Sequence, residues 1–391
     1  MLRVRVLSRL AASLTFSPFA DRRAALSRQA VEMARRLGDT TTLALALSAR
    51  NVVLWGPDTP TERLALATES VQLAETVARQ DIAIEGHFLR LISALELGDV
   101  LTTDVEIRTF IRLAEELRQP FCLWPATVLH TMQALRAGRF TEAEHLAQEA
   151  LALGQRAQSP NAMLVFGVHF TRLQHERGRV QEITDTIKSM VETYPTIPAW
   201  RAVLTFFYSE LGRTAEARSE FERLAAQDFI DFPRNQEWLV GMANFADVTA
   251  FLGDTHRAAL LYEMLLPYAE RNVVAGPAVD CYGSVSRYLG RLATTLSHWE
   301  AATRHFTKAL AMDTRLGAKP FVARTQYEYA SMLLVRGLPE QREQAQALLD
   351  SALTTTTELG MKRLEEQITA AVASYQLSVA SYQPLTPNPQ L

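Results

Sequence analysis

The fold is decided by the stretch ALRAGRFTEAE at residues 134–144. The apolar pattern from Phe121 to Ala137 predicts an amphipathic helix. Gly138 is expected to end this helix, because glycine adopts the left-handed conformation of a tight turn without strain. Thr141 and Glu144 then have the spacing of a capping box, which predicts the start of a second helix. The stretch therefore predicts a helical hairpin.

Similar hairpins are predicted along most of the chain, since a small residue, usually glycine, ends an apolar helical stretch about every 40 residues. These anchor positions are Gly56, Gly98, Gly138, Gly178, Gly212, Gly253, Ser297 and Gly337. Internal periods of this length are typical of stacked supersecondary units. We therefore predict an all-α fold, a right-handed α-solenoid of about nine tetratricopeptide-like helical hairpins.

The predicted solenoid covers residues 1–378 and closes with a C-terminal capping helix from Met361 to Tyr375. The segment 379–391 is predicted to be a disordered tail, because its three prolines cannot continue a helix. Seven residues before the anchors, the side chain is small at seven of eight positions, which would let neighbouring helices approach closely. These positions are Ala49, Leu91, Thr131, Thr171, Thr205, Ala246, Gly290 and Ala330.

The start of the chain allows two interpretations. Three arginines within the first nine residues, with no acidic residue before Asp21, would suit an organellar transit peptide. The spacing of Leu7, Leu10 and Leu14 favours instead the first helix of the first hairpin. No capping residue precedes it, which would suit an element that begins within a longer protein.

Composition limits the class of partner. The 391 residues are 48% hydrophobic and carry a formal net charge of −3, so there is no general attraction to nucleic acid or anionic membranes. No uninterrupted run of 18 apolar residues could cross a bilayer. Cys122 and Cys281 lie far apart within predicted helices, which suits a reducing compartment. We expect a cytoplasmic protein with no direct nucleic-acid partner and no membrane partner.

No pattern indicates a catalytic centre, cofactor or metal. The motifs G-x-x-x-x-G-K-[ST] and H-E-x-x-H do not occur, and His298 and His305 have no third ligand at a suitable spacing. The stretch Gly283-Ser284-Val285-Ser286 lacks the second glycine of a nucleophile elbow and is predicted to lie within a helix. The chain is therefore expected to be no enzyme and to use no cofactor.

Whole phrases of the sequence support a resemblance. They are ARRLGD (34–39), LWGPD (54–58), AEELRQP (114–120), FERLAA (221–226), GSVSRYLG (283–290) and ELGM (358–361). Over residues 1–370 the chain resembles the C-terminal tetratricopeptide-repeat region of bacterial AAA-type ATPase signalling proteins. In that family the ATPase is often joined to a nucleotide cyclase, a winged-helix activator or a LuxR-type domain. The family's phosphate-binding loop, cyclase and DNA-binding motifs have no matching positions here.

The resemblance implies that the first helix of each hairpin lines a concave surface. The predicted ligand contacts lie six and ten residues before the anchors, and one turn further back in the last full hairpin. They are Arg172, Phe206, Asp247, Arg287, Arg291, Arg324 and Tyr327. The same offsets also select Arg50 and Phe88 earlier in the chain. Because guanidinium groups bind carboxylates bidentately, an acidic or C-terminal peptide segment is a plausible ligand. The alternative is that these arginines are solvated or form ion pairs within the solenoid.

Two functions fit these patterns. The first is a non-catalytic scaffold or sensor in bacterial signalling or transcriptional regulation, which binds a protein or peptide segment or a small effector on its concave face. The second is a truncated regulatory arm of an ATPase-linked transcription or nucleotide-cyclase regulator, whose catalytic module is missing or acts in trans. The pattern indicates neither the ligand nor the oligomeric state.

Overall fold

A computed structural model of the chain describes residues 1–14, 20–195 and 197–380. Within these ranges the all-α class is confirmed, since nineteen α-helices are present. The helices are α1 (Leu2–Ser13), α2 (Ala20–Leu37), α3 (Thr40–Val53), α4 (Pro60–Thr76), α5 (Gln80–Glu96), α6 (Val100–Leu117), α7 (Pro120–Ala137), α8 (Phe140–Arg156), α9 (Ala162–Glu176), α10 (Val180–Thr193), α11 (Ala199–Glu210), α12 (Thr214–Leu224), α13 (Trp238–Leu252), α14 (Thr255–Leu265), α15 (Val285–Thr295), α16 (Trp299–Leu316), α17 (Lys319–Arg336), α18 (Arg342–Leu359) and α19 (Lys362–Ala380).

Consecutive helices pack on each other in pairs, from α1 with α2 to α17 with α18. Alternate helices are also in contact along most of the chain, for example α11 with α13 and α13 with α15. Nineteen helices are the number expected for nine hairpins and a capping helix. The solenoid arrangement and its handedness stay predictions. The predicted tail at 379–391 lies outside the described residues from position 381 onward.

The anchor residues end the first helix of most pairs as the sequence predicts. Seven of the eight have positive φ angles, from 58° at Ser297 to 79° at Gly138. Gly56 is the exception, and here the reason for a small residue is a close approach. A Cβ atom at this position would lie 2.9 Å from the carbonyl oxygen of Arg234.

Small side chains permit close helix packing at the predicted positions. Leu91, Thr131, Ala246 and Ala330 have no exposed area, although Leu91 is not small. At Gly290, an added Cβ atom would lie 2.7 Å from the ring of Phe306, so glycine lets α15 approach α16. The predicted second-helix positions are also buried, as Ala217 and Phe221 illustrate on α12.

The predicted capping box at Thr141 and Glu144 is wrong. Helix α8 already includes Phe140, and no side chain caps it. The Glu144 carboxylate instead forms an ion pair with Arg177, at 2.7 and 2.8 Å, because α9 brings that guanidinium alongside. In three other helices, α3, α6 and α14, the side chain of the residue directly after the turn glycine caps the helix. In α6, for example, the Asp99 carboxylate accepts a hydrogen bond from the Thr102 N–H.

Removing the Asp99 cap tests this corrected assignment. Because an N-cap side chain satisfies an otherwise unpaired backbone N–H, Asp99→Ala is expected to lower the free energy of unfolding by about 0.5–2 kcal/mol. Thr141→Ala is the matched control and is expected to change it by less than about 0.5 kcal/mol. Urea unfolding followed by circular dichroism measures both values. An equal loss in the two variants would contradict the assignment.

A two-stranded antiparallel sheet interrupts the helices between α14 and α15. Its strands are β1 (Asn272–Ala275) and β2 (Asp280–Ser284), with a register shift between Asn272 and Val274. The helical prediction for Gly283–Ser284 and for Cys281 is wrong, since both lie in β2, directly before α15. The strands are buried among α5, α7, α13, α15 and α16.

Helices that are far apart in sequence also touch. Helix α17 packs on α7, and α19 packs on α9. The guanidinium of Arg271 donates to the Pro57 carbonyl, 214 positions away. In an open solenoid each repeat contacts only its neighbours, so these contacts depart from that pattern. None of the described helices combines the length and apolar character needed to cross a membrane.

Candidate functional site

The seven predicted ligand contacts come together in space. They lie on α9, α11, α13, α15 and α17, the first helices of five successive pairs. All seven line two adjoining cavities of about 70 and 310 Å³, which share Phe206, Asp247, Arg287 and Arg324. We call these two spaces together the charged cavity.

The smaller part of the charged cavity lies beside an ion-pair cluster centred on Glu176. The Glu176 carboxylate is 2.9 Å from Arg172 on the same helix and 3.1 Å from Arg324 on α17. The Glu176 side chain is only 1% exposed. Arg172 also lies 4.4 Å from the centroid of the Phe321 ring, a cation–π distance.

The larger part is bounded by a second cluster on α13, α15 and α17. Arg287 donates to both oxygens of Glu328 at 2.8 and 2.9 Å, and to Asp247 at 3.3 Å. Arg291 donates to Asp247 at 2.7 Å. Arg287 is buried while the Arg291 side chain is 25% exposed, so the two arginines have different access to a ligand.

Burial and neighbouring charges shift the pKa values of these groups in opposite directions. Burial alone would raise the pKa of Glu176, but Arg172 and Arg324 outweigh it and hold that pKa below its ordinary value. Burial would likewise lower the pKa of Arg287, and the carboxylates of Asp247 and Glu328 raise it well above its ordinary value. Both groups therefore stay charged at neutral pH. The second cluster pairs two arginines with two carboxylates, whereas the first pairs the Glu176 carboxylate with two arginines.

Two arginines keep binding capacity toward the cavity. Within the described residues, every hydrogen bond of Arg291 goes through its Nη1 atom, so donors on Nε and Nη2 remain free. Arg363 on α19 is 32% exposed, lines the larger part and donates to the Glu210 carbonyl; it lies 3.5 and 3.9 Å from the carboxylates of Glu210 and Glu366. These side chains could hold a carboxylate that enters from solvent.

Sequence reasoning named Asp247 but missed the other carboxylates that pair with the arginines. Glu96, Glu176 and Glu210 each stand two residues before an anchor glycine, and this repeated offset is a signal that could have found them. Glu210 lies 3.4 Å from His175. Burial would raise the Glu210 pKa, yet the contact with His175 and the nearby arginines lower it to about 2. Glu328 and Arg363 follow no such repeat.

Two earlier predicted contacts lie elsewhere. Arg50 forms an ion pair with Glu62 at 2.8 Å and lines neither part of the charged cavity. Phe88 lines an adjoining apolar cavity and packs on Phe110, with ring centroids 5.0 Å apart. The concave-surface prediction therefore brings together the contacts from α9 onward and leaves out the two that precede it.

The junction of β2 and α15 holds Ser284 in a buried position. Its hydroxyl contacts the Met312 sulfur at 3.3 Å and accepts a hydrogen bond from the Ser286 N–H. Among the residues the structure describes, no histidine or carboxylate is hydrogen-bonded to this hydroxyl. No group of three or more His, Cys, Asp or Glu side chains in those ranges could hold a metal ion.

The chain matches no protein-family model and no curated protein.

Proposed function

We propose that this chain is a non-catalytic binding scaffold of tetratricopeptide-like helical hairpins. It holds an acidic protein segment, or a small carboxylate-bearing effector, in the charged cavity. The observation that carries the proposal is the convergence of Arg291, Arg363 and Tyr327 on one cavity of about 310 Å³. A space of this size fits a few side chains or a small ligand.

The chemistry of the cavity favours an anionic group over a cationic one. Free guanidinium donors at Arg291 can form charge-assisted hydrogen bonds, which are among the strongest polar contacts in proteins. Phe206 and Tyr327 supply aromatic area beside them. Arg287 and Arg324 hold the wall in shape through their buried ion pairs, so they position the site rather than offer free donors.

The resemblance in sequence phrases supports a place in bacterial signalling or transcriptional regulation. We propose a cytoplasmic location on the same basis, together with two free, buried cysteines. A signalling role needs a ligand that shifts an equilibrium between two conformations of the chain. Because five successive helix pairs line the charged cavity, a ligand bound there could change how those pairs are arranged.

A labelled octaglutamate peptide tests the proposal. We expect it to bind more tightly than octaglutamine, and Arg291→Gln combined with Arg363→Gln is expected to weaken octaglutamate binding about tenfold, since charged hydrogen bonds are lost. Fluorescence anisotropy at an ionic strength of about 0.15 M measures both affinities. Arg287 is left intact because it holds Asp247 and Glu328 in place.

The matched control replaces two exposed arginines that line neither part of the charged cavity, Arg156→Gln with Arg315→Gln. Its affinity for octaglutamate is expected to stay within about twofold of the unmodified chain, because exposed charges are largely screened. Equal losses in the two double variants, or no preference for octaglutamate over octaglutamine, would count against the proposal.

A further inference from the structure

A second cavity, of about 340 Å³, is mostly apolar and adjoins the smaller part of the charged cavity, with which it shares Thr171, Val203, Val240 and Tyr282. We call it the apolar cavity. Its walls come from α7, α9, Tyr194, residues 197–200 at the start of α11, the segment 232–237 that leads into α13, and the β1–β2 turn. Six aromatic residues line it, namely Phe88, Trp124, Tyr194, Trp200, Phe232 and Tyr282.

One formally charged side chain, Glu237, is found among the described residues that line the apolar cavity. Within the described ranges, its carboxylate has no ion-pair or hydrogen-bond partner, in contrast to the paired carboxylates of the charged cavity. Gly276 also lines the cavity, and an added Cβ atom there would lie 3.7 Å from Glu237 Oε1. The carboxylate is therefore set into the cavity wall.

An isolated carboxylate in an apolar wall is costly to ionise. Glu237 is half-buried, and the partial loss of water around its carboxylate raises its pKa to about 7, with no cation among the described residues opposing that effect. A positively charged group beside Glu237 would remove the cost of burying an unpaired charge. Aromatic faces attract cations as well, through their negative ring faces. The unpaired carboxylate and the aromatic lining therefore both favour a cationic ligand.

We propose that the apolar cavity binds a small organic monocation, a hydrophobic amine or ammonium compound. Its charged group pairs with Glu237, and its carbon skeleton packs among Trp124, Trp200 and Phe232. A carboxylate ligand such as a fatty acid is disfavoured, because it would bring a second negative charge beside an unpaired one. This inference does not depend on the ligand of the charged cavity.

Three indole compounds of similar size and different charge test the proposal. Tryptamine is a cation at pH 8, tryptophol is its neutral analogue, and indole-3-acetate is an anion. Isothermal titration calorimetry is expected to give an affinity for tryptamine about tenfold above that for tryptophol, from the ion pair and cation–π contacts. Indole-3-acetate is expected to bind more weakly than tryptophol.

Glu237→Gln keeps the size of the side chain and removes its charge. We expect tryptamine affinity to fall about tenfold in this variant while tryptophol affinity stays within about twofold. Asp231→Asn is the matched control, because Asp231 is exposed in the same segment and does not line the cavity. It is expected to bind all three compounds as the unmodified chain does.

Circular dichroism melting curves establish that both variants are folded before they are titrated. Loss of the tryptamine preference in Glu237→Gln alone supports the proposal. The proposal is overturned if tryptophol binds the unmodified chain as tightly as tryptamine does, if Glu237→Gln keeps the preference, or if tryptamine does not bind. The octaglutamate experiment is unaffected by any of these results, so the two proposals fail separately.

Discussion

Glu176→Gln is expected to lower the free energy of unfolding by about 3–5 kcal/mol, because it leaves the buried guanidinium groups of Arg172 and Arg324 without their shared carboxylate. The change preserves volume, so the loss reports charge and hydrogen bonding. Urea unfolding monitored by circular dichroism measures it. Glu176 is 1% exposed and has its partners at 2.9 and 3.1 Å, which places this pair of contacts among the most buried in the described chain.

Glu116→Gln is the matched control for this substitution. Glu116 pairs with Arg112 at 2.6 Å, but both side chains are about half exposed. Surface ion pairs contribute little, so the control is expected to cost less than about 1 kcal/mol. Similar losses of unfolding free energy for Glu116→Gln and Glu176→Gln would show that burial does not determine how much the Glu176 cluster contributes to stability.

The same contact has a defined pH dependence. The Glu176 pKa lies below its ordinary value of 4.5 in the folded chain, so the unfolded chain takes up the proton first as the pH falls. The stabilising contribution is therefore fully present above the unfolded pKa and is lost as the pH falls through the folded pKa. Because Glu176→Gln lacks this proton uptake, its unfolding free energy is expected to depend less steeply on pH below about 4.5.

Phe245→Ala is the second substitution with a large expected effect. The Phe245 ring is fully buried on α13, with the centroids of Phe229 and Phe232 at 5.0 and 5.3 Å. Removing it is expected to lower the free energy of unfolding by about 3–5 kcal/mol, through lost burial and a residual cavity. The same urea unfolding experiment measures this loss.

Phe121→Ala serves as its control, since Phe121 is 62% exposed at the start of α7. We expect a change of less than about 0.5 kcal/mol, as for other surface substitutions. A loss of under about 1 kcal/mol for Phe245→Ala would contradict the tight aromatic packing around α13.

The sequence predicted the helices well because their signals are local. A glycine that ends a helix needs a left-handed conformation wherever it occurs, so Gly138 and Gly253 could be placed without knowledge of the fold. The strands β1 and β2 could not be found by the same repeat, because they span only four and five residues. The pair Gly276-Pro277 between Val274 and Val279 is the turn signal that marks them.

The candidate site was predictable in position and not in pairing. Periodicity placed Arg287 and Arg291 on one helix face, and they do share a cavity. Their partners Asp247 and Glu328 come from helices about 40 positions away on either side, and only the packing of those helices brings the carboxylates within reach. Arg287 is buried and paired with carboxylates whereas Arg291 keeps free donors, and this difference depends on the tertiary packing of the helices.

The contact between α9 and α17 has a consequence for how the chain comes apart. Arg324 and Glu176 are 148 positions apart, so their pairing closes a long loop, which is slow to form and costs chain entropy. Once formed, this contact links α9 directly to α17. Open repeat arrays can unfold stepwise from one end, but separating α9 from α17 requires this ion pair to break, so we expect the helices from α9 to α17 to unfold cooperatively.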